Sequence, residues 1–177
     1  MYALDTIGGV PAHPLLVHIP VVLVPLGLIL AIAAIWPRIR KPMLVVAACA
    51  AAVGGIGVLL AAGAGESLES AVRSPSDTPA EKQLLRDHTE KGDAAQAPAV
   101  AFGIIAVGTA AEEIWRRRRN GESKLPRWVP VLLLGTTVAT GAVATKFVYD
   151  AGHTGAKSVW SGTSAKTEGG ERDGGDD

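Results

Sequence analysis

The hydrophobic residues of this chain are gathered into four long blocks, at residues 15–36, 43–64, 97–114 and 129–149. Each block is about 20 residues long, which is the length that an α-helix needs to cross the hydrocarbon core of a bilayer. Three blocks carry no charge before their last turn, and Lys146 lies close enough to the end of the fourth for its amine to reach the headgroups. The pattern predicts an all-α, four-helix transmembrane bundle over residues 1–160, followed by a disordered polar tail at 161–177.

Charges outside the blocks predict the orientation of the bundle. The loops at 37–42 and 115–128 are strongly basic. By contrast, the segment 65–96 carries seven acidic and four basic residues, and the stretch 150–177 carries six and three. By the positive-inside rule the basic loops are cytoplasmic and both termini are extracytoplasmic. The formal net charge of zero hides this split, and the arginine run is typical of a membrane-flanking cluster rather than a nucleic-acid-binding surface.

Local signals add detail to the bundle. The sequence Thr78-Pro79-Ala80-Glu81 is a capping box with proline at the first helical position, which predicts a short amphipathic, extracytoplasmic helix between the second and third spans. Pro20 and Pro25 lie inside the first block, and each removes one main-chain hydrogen bond. We therefore expect a kinked first helix with irregular backbone near its outer end.

The candidate chemistry lies in four histidines at or just beyond the ends of the blocks, all on the predicted extracytoplasmic side: His13, His18, His88 and His153. Neutral imidazole is the commonest metal ligand and a frequent haem ligand. These histidines come from three segments, so they converge only if the fold brings the segments together. The single cysteine, Cys49, excludes a disulfide within the chain and the Cys-x-x-Cys-His motif of covalently bound haem. The known hydrolase, phosphate-loop and zinc-protease motifs are missing, so the sequence predicts no enzymatic activity.

The same residues carry a family resemblance. The opening Gly9-Val-Pro-Ala-His-Pro-Leu-Leu-Val-His-Ile-Pro resembles the signature of the domain-of-unknown-function 2231 family of small bacterial membrane proteins. The family pattern continues with four spans, a histidine before the third and a Gly-His ending after the fourth, which His88 and His153 match, so that the resemblance covers residues 8–160. It implies a four-helix bundle in the bacterial inner membrane. Some relatives also carry a Rieske-type iron–sulfur domain, which implies redox work, but one cysteine cannot supply such ligands here.

Three interpretations of the histidines stay open. In the first, two of them ligate a haem b from opposite faces, and the haem exchanges electrons with a quinone or redox partner at the outer face, because no histidine lies near the cytoplasmic side. In the second, two to four of them hold a zinc, copper or iron ion. Asp87, Asp150 or Glu66 then serves either as a further ligand or as the hydrogen-bond partner of a ligating histidine. In the third, they are hydrogen-bonded structural groups of an accessory membrane subunit without a cofactor. The lipid bilayer is the partner that the sequence predicts outright.

Overall fold

A computed structural model of the chain describes residues 6–72, 78–119, 126 and 128–169, with side chains as far as residue 160. Four helical segments of the described chain are long and apolar enough to cross a membrane, at Ala12–Ala33, Arg40–Val72, Pro79–Arg118 and Val129–Trp160. The prediction of an all-α, four-helix transmembrane bundle is therefore confirmed.

The chain enters the first span through a small hairpin that the hydrophobic pattern did not predict. Strands β1 (Thr6–Ile7) and β2 (Val10–Pro11) pair antiparallel, and the two residues between them, Gly8 and Gly9, have φ angles of 60° and 84°. A two-residue turn with both φ angles positive is the tight type I′ turn, which glycine adopts without strain. The hairpin leads directly into the helix that carries His13.

Proline divides the first span into two helices, α1 (Ala12–Leu16) and α2 (His18–Ala33). The break comes where Pro20, which has no N–H, leaves the carbonyl of Leu16 without its usual donor. Pro25 lies inside α2 without ending it. The interruption lies near the start of the span, at Val17, whose backbone angles stay helical (φ −63°, ψ −22°), and the kink stays a prediction.

The other helices are α3 (Arg40–Val72), α4 (Pro79–Arg118) and α5 (Val129–Gly169), with 33, 40 and 41 residues. Each is longer than the roughly 20 residues that a bilayer requires, so each extends beyond the membrane. The helix predicted between the second and third spans is the first part of α4, because α4 continues without a break through Pro98. Helix α5 continues past residue 160, where the sequence placed the end of the membrane domain, and that boundary stays a prediction. The end of the predicted tail, 170–177, and residues 120–125 of the second basic loop lie outside the described residues.

The predicted capping box begins α4. The Oγ1 atom of Thr78 accepts a hydrogen bond from the N–H of Glu81 at 3.2 Å, and Oε2 of Glu81 accepts one from the N–H of Thr78 at 2.8 Å. Each side chain thus satisfies a main-chain donor that the first turn of a helix leaves without a partner. The cap fixes the beginning of the helix that carries His88.

In the bundle, α2 and α4 each pack against both α3 and α5. The core consists largely of alanine and glycine, and Phe102 is fully buried among them. A Cβ atom placed on Gly27 or Gly141 would lie 3.2 or 2.8 Å from the Phe102 ring, so the ring fills space that these two glycines leave. Close approach of small residues is how transmembrane helices gain van der Waals contact in lipid.

The two ends of the bundle differ in their polar groups. We call the end with Arg40, Arg116 and Arg117 the arginine end, and the end with His13 and His88 the histidine end. At the arginine end, Glu113 is only 2% exposed and accepts hydrogen bonds from Arg116 and from Nε of Arg117, the latter at 2.5 Å. Nε of Arg40 donates to the carbonyl of Ala34 at 3.1 Å, next to the end of α2. Glu113 is therefore buried with cationic partners.

Candidate histidine site

Two of the four candidate histidines come together at the histidine end. The rings of His13 in α1 and His88 in α4 have their centroids 5.9 Å apart, and their planes make an angle of 75°. Both side chains are partly buried. The pairing joins the first and third spans, although 75 positions separate the two residues (88 minus 13).

His13 is held by the neighbouring helix α3. Its Nδ1 atom donates a hydrogen bond to the carbonyl of Ala61 at 2.7 Å. The ring lies against Gly65, where a Cβ atom would come within 3.0 Å of Nδ1 and 3.1 Å of Cε1. The absence of a side chain at Gly65 therefore lets the ring approach the backbone of α3.

His88 is held by α5 in the same manner. Its Nδ1 atom donates to the carbonyl of Ala151 at 3.1 Å. The ring lies against Gly155, where a Cβ atom would come within 2.9 Å of Cε1 and 3.2 Å of Nδ1. The two histidines thus share one arrangement, with a carbonyl partner on the next long helix and a glycine beneath the ring.

These hydrogen bonds assign the tautomer of both rings. A main-chain carbonyl can only accept a hydrogen bond, so Nδ1 of His13 and of His88 must carry the proton. In the neutral form, Nε2 of each ring then keeps its lone pair. A ligating histidine commonly has this arrangement, in which the second ring N–H donates to a carbonyl or carboxylate.

Burial also favours the neutral form of His88, which precedes the apolar part of α4. Burial lowers the pKa of His88, the hydrogen bond to the carbonyl of Ala151 opposes this, and the neighbouring His13 lowers the pKa further. The net effect is a pKa below the ordinary value. His88 is therefore expected to be neutral at pH 7, as a metal ligand must be.

The other two candidate histidines lie outside this pair. Nδ1 of His18 donates to the carbonyl of Pro14, one turn earlier, at 2.7 Å. His153 stacks on Tyr149, with ring centroids 5.9 Å apart and planes within 7° of parallel. Both histidines are exposed. Each therefore interacts with its own stretch of chain, whereas His13 and His88 link different helices.

The three candidate carboxylates do not add a further ligand to the pair of histidines. Asp87 accepts a hydrogen bond from Gln83 at 2.7 Å, Asp150 pairs with Lys146 at 2.5 Å, and Glu66 is exposed on α3. Within the described residues, no group of three or more His, Cys, Asp or Glu side chains is arranged to hold a metal ion. What the described chain offers is a pair of imidazoles.

Sequence reasoning missed the residues that hold the pair, namely Ala61, Gly65, Ala151 and Gly155. The available signal was weak but present, since each set is an alanine followed four positions later by a glycine. Such spacing places two small residues on one helix face, where a neighbouring group can approach closely. It does not reveal which group approaches.

Comparison with known proteins identifies the family. A family model described as a predicted membrane protein (DUF2231) matches residues 9–167, which is nearly the whole chain of 177 residues. The resemblance drawn from the opening motif is therefore confirmed. Neither the curated proteins nor the solved structures contain a match to this chain.

Proposed function

Since this chain belongs to the DUF2231 family of predicted membrane proteins, we propose that it is a multi-pass membrane protein in which His13 and His88 together ligate one transition-metal centre, the iron of a haem b. The observation that carries the proposal is the ring pair itself. Two imidazoles from different helices have ring centroids 5.9 Å apart, and in each the Nδ1 atom carries the proton, so that Nε2 is the nitrogen with a lone pair for a metal.

The chemistry of the ring nitrogens supports ligation through Nε2. A neutral imidazole binds a metal through its unprotonated nitrogen, and a carbonyl behind the other nitrogen orients the ring and raises its basicity. Both rings meet this requirement without any rearrangement of their hydrogen bonds. The lowered pKa of His88 acts in the same direction, because proton competition for the ligand is weaker.

The number of ligands favours haem iron over a bare ion, and their spacing permits either. A tetrahedral zinc site uses three or four protein ligands, whereas a haem supplies four nitrogens itself and leaves two axial positions. With metal–nitrogen bonds of about 2.0–2.1 Å, and each ring centre about 1.1–1.2 Å beyond its nitrogen, the centres of two imidazoles on one metal lie between about 4.5 and 6.4 Å apart, depending on the angle at the metal. The observed 5.9 Å falls inside that range, so the spacing is compatible with one shared metal.

The position of the pair supports a role at one membrane face. We place the histidine end on the extracytoplasmic side of the bacterial inner membrane, with both termini on that side, because the arginine end has the charge that is typical of cytoplasmic loops. A haem at this end would pass single electrons to or from a quinone or a redox protein at the outer face. It would not conduct electrons across the bilayer alone.

A visible spectrum of the protein purified after haem-replete expression tests the proposal. We expect a Soret band at one haem per chain. His13→Ala and His88→Ala should each weaken haem binding by more than about tenfold, since the loss of a group behind a ligand already costs about 10–100-fold. His18→Ala and His153→Ala are the matched controls and should keep the band, because their rings lie outside the pair.

A second measurement separates haem from a bare ion. If no Soret band forms, metal analysis and a Co²⁺ titration of the wild type and the same four variants follow. Stoichiometric metal that requires both His13 and His88 would keep the ligand pair and replace haem by an ion. Equal binding in wild type and His13→Ala, or no binding in the wild type, would refute ligation and leave the histidines as structural links between helices.

A further inference from the structure

The two glycines beneath the histidine rings, Gly65 and Gly155, leave the space that the rings occupy. We infer that Gly65 and Gly155, which we call the notch glycines, are positioning residues: each, with the carbonyl four residues earlier, holds one histidine as the Nδ1–H tautomer and so leaves Nε2 as the nitrogen that can bind a ligand. The inference rests on the proposed function for the identity of the ligand. The assignment of tautomer and ring position does not depend on it.

Each histidine donates to a main-chain carbonyl that lies inside a long helix. Ala61 lies within α3 and Ala151 within α5, so each carbonyl oxygen already faces the N–H four residues later, which belongs to Gly65 and Gly155 respectively. A carbonyl oxygen has two lone pairs and can accept a second hydrogen bond. A donor from outside the helix must then reach that oxygen past the side chain of the residue four positions later.

Glycine at that position removes the obstacle. The Nδ1 atom of His13 lies 2.7 Å from the Ala61 oxygen. A Cβ atom on Gly65 would lie only 3.0 Å from the same Nδ1 atom. At the other helix, the ring of His88 comes within 2.9 Å of the corresponding point on Gly155. These separations are shorter than ordinary van der Waals contact, so a methyl group at either position would push the ring away and strain its hydrogen bond to the carbonyl.

The arrangement occurs twice with the same helix order. His13 begins the first helical hairpin of the bundle and donates to the returning helix α3, and His88 begins the second and donates to the returning helix α5. Each partner carbonyl precedes its notch glycine by four residues. Because both halves hold a ring in the same tautomer, both rings would offer the same atom, Nε2, to one metal.

Two alanine substitutions with matched controls test the inference. Gly65→Ala and Gly155→Ala add one methyl group beneath a ring, and alanine favours helix more than glycine does, so the helices should persist. Gly63→Ala on α3 meets nothing within 4 Å, and Gly152→Ala on α5 meets only Val21 Cγ2 at 4.0 Å. Circular dichroism and size-exclusion chromatography in detergent check the fold of all four variants.

The first readout is ¹⁵N NMR of the histidine side chains in ligand-free protein. Wild type should show His13 and His88 as Nδ1–H tautomers. Gly65→Ala should convert the His13 signal to a mixture of tautomers and leave His88 unchanged, and Gly155→Ala should do the reverse. The second readout is affinity for haem, or for Co²⁺ if haem does not bind, which should fall by about 10–100-fold in both variants and stay at the wild-type value in both controls.

The outcomes distinguish this inference from the proposed function. Wild-type tautomers in both folded notch variants would overturn the inference, and so would equal changes in Gly63→Ala and Gly152→Ala. If the wild type binds neither haem nor metal, the proposed function fails while the NMR spectra still decide whether the glycines position the rings. The two notch variants are independent, so a single folded variant is sufficient to test the role of its glycine.

Discussion

Hydrogen-bond partners divide the four histidines into two kinds at the scale of single residues. His18 donates to a carbonyl only four residues away, and His153 stacks on a tyrosine of its own helix. His13 and His88 instead donate to carbonyls 48 and 63 residues away in sequence. A buried polar ring needs a partner, and a distant partner fixes the ring relative to a second helix. Only the second kind of histidine is positioned well enough to share a ligand.

The lowered pKa of His88 predicts how stability responds to pH. Burial and His13 keep the folded-state pKa below the ordinary value of 6.5, so below about pH 6.5 the unfolded chain takes up a proton that the folded state resists. Stability should therefore fall as the pH drops from 6.5 to the folded-state pKa, and His88 should contribute no pH dependence above that window. An NMR titration of ligand-free protein should give His88 a midpoint below 6.5.

The control for this prediction is His88→Gln, which keeps a donor near Ala151 but cannot titrate. Thermal unfolding in detergent should show a smaller loss of stability below pH 6.5 in this variant than in the wild type. A midpoint at or above 6.5, or the same pH dependence in both proteins, would contradict the pKa argument.

At the scale of single elements, α4 carries the features that matter most for the site. It begins at the Thr78 cap, presents His88 before its apolar part, and continues through Pro98 to the buried Glu113 at the arginine end. The sequence predicted a short helix before the third span, whereas Gly92 and Pro98, which ordinarily weaken a helix, both lie inside one continuous α4. Ala99, the residue after Pro98, is fully buried with its carbonyl against Gly55 of α3, so α4 is tightly packed where the proline lies.

Removing the cap should loosen only the beginning of α4. Thr78→Ala deletes the acceptor for the Glu81 N–H, which typically costs about 0.5–2 kcal/mol of helix stability. Amide hydrogen exchange in the first turn should accelerate, whereas exchange around His88 should not change. Thr89→Ala is the control, because the Thr89 hydroxyl bonds carbonyls of its own helix rather than a free N–H. Unchanged exchange at Glu81 in Thr78→Ala would count against the cap.

At the scale of the whole molecule, the bundle is polar at its ends and closed at its centre. Among the described residues, the buried polar side chains are those of Thr109, Glu113 and Thr137. The two threonine hydroxyls bond each other at 2.8 Å, and Phe102 fills the space beside Gly27 and Gly141. The threonine pair satisfies its own hydroxyl groups, and the buried ionisable side chain among the described residues, Glu113, lies at the arginine end.

Phe102 should therefore be the main determinant of bundle stability. Phe102→Ala leaves a cavity between α2, α4 and α5 and is expected to cost about 3 kcal/mol. The matched control on the same helix is Ile104→Ala, since Ile104 is 68% exposed and faces lipid, which is as apolar as the side chain that is lost. Unfolding in mixed detergent should separate the two variants, and equal stabilities would show that the core does not depend on the ring.

Features with a local cause could be predicted from the sequence. The capping box needs only Thr78 and Glu81, and the break in the first span needs only Pro20. For Lys146 the sequence favoured an amine at the headgroups, whereas the structure pairs it with Asp150 one turn later on the same helix. The hairpin at Gly8 and Gly9 was also local but was missed, because its strands are too short to show a hydrophobic pattern.

The sequence by itself determined the four spans, the family and the set of candidate histidines, because hydrophobic length and short motifs are properties of neighbouring residues. Only the tertiary structure decided that His13 and His88 meet and that His18 and His153 do not. The partners that decide this are main-chain carbonyls on other helices, beside glycines whose role is the space that they leave. Every residue has the same main-chain carbonyl, so the residue type does not indicate which carbonyl a histidine will use. Only the packing of the helices brings that carbonyl to the ring.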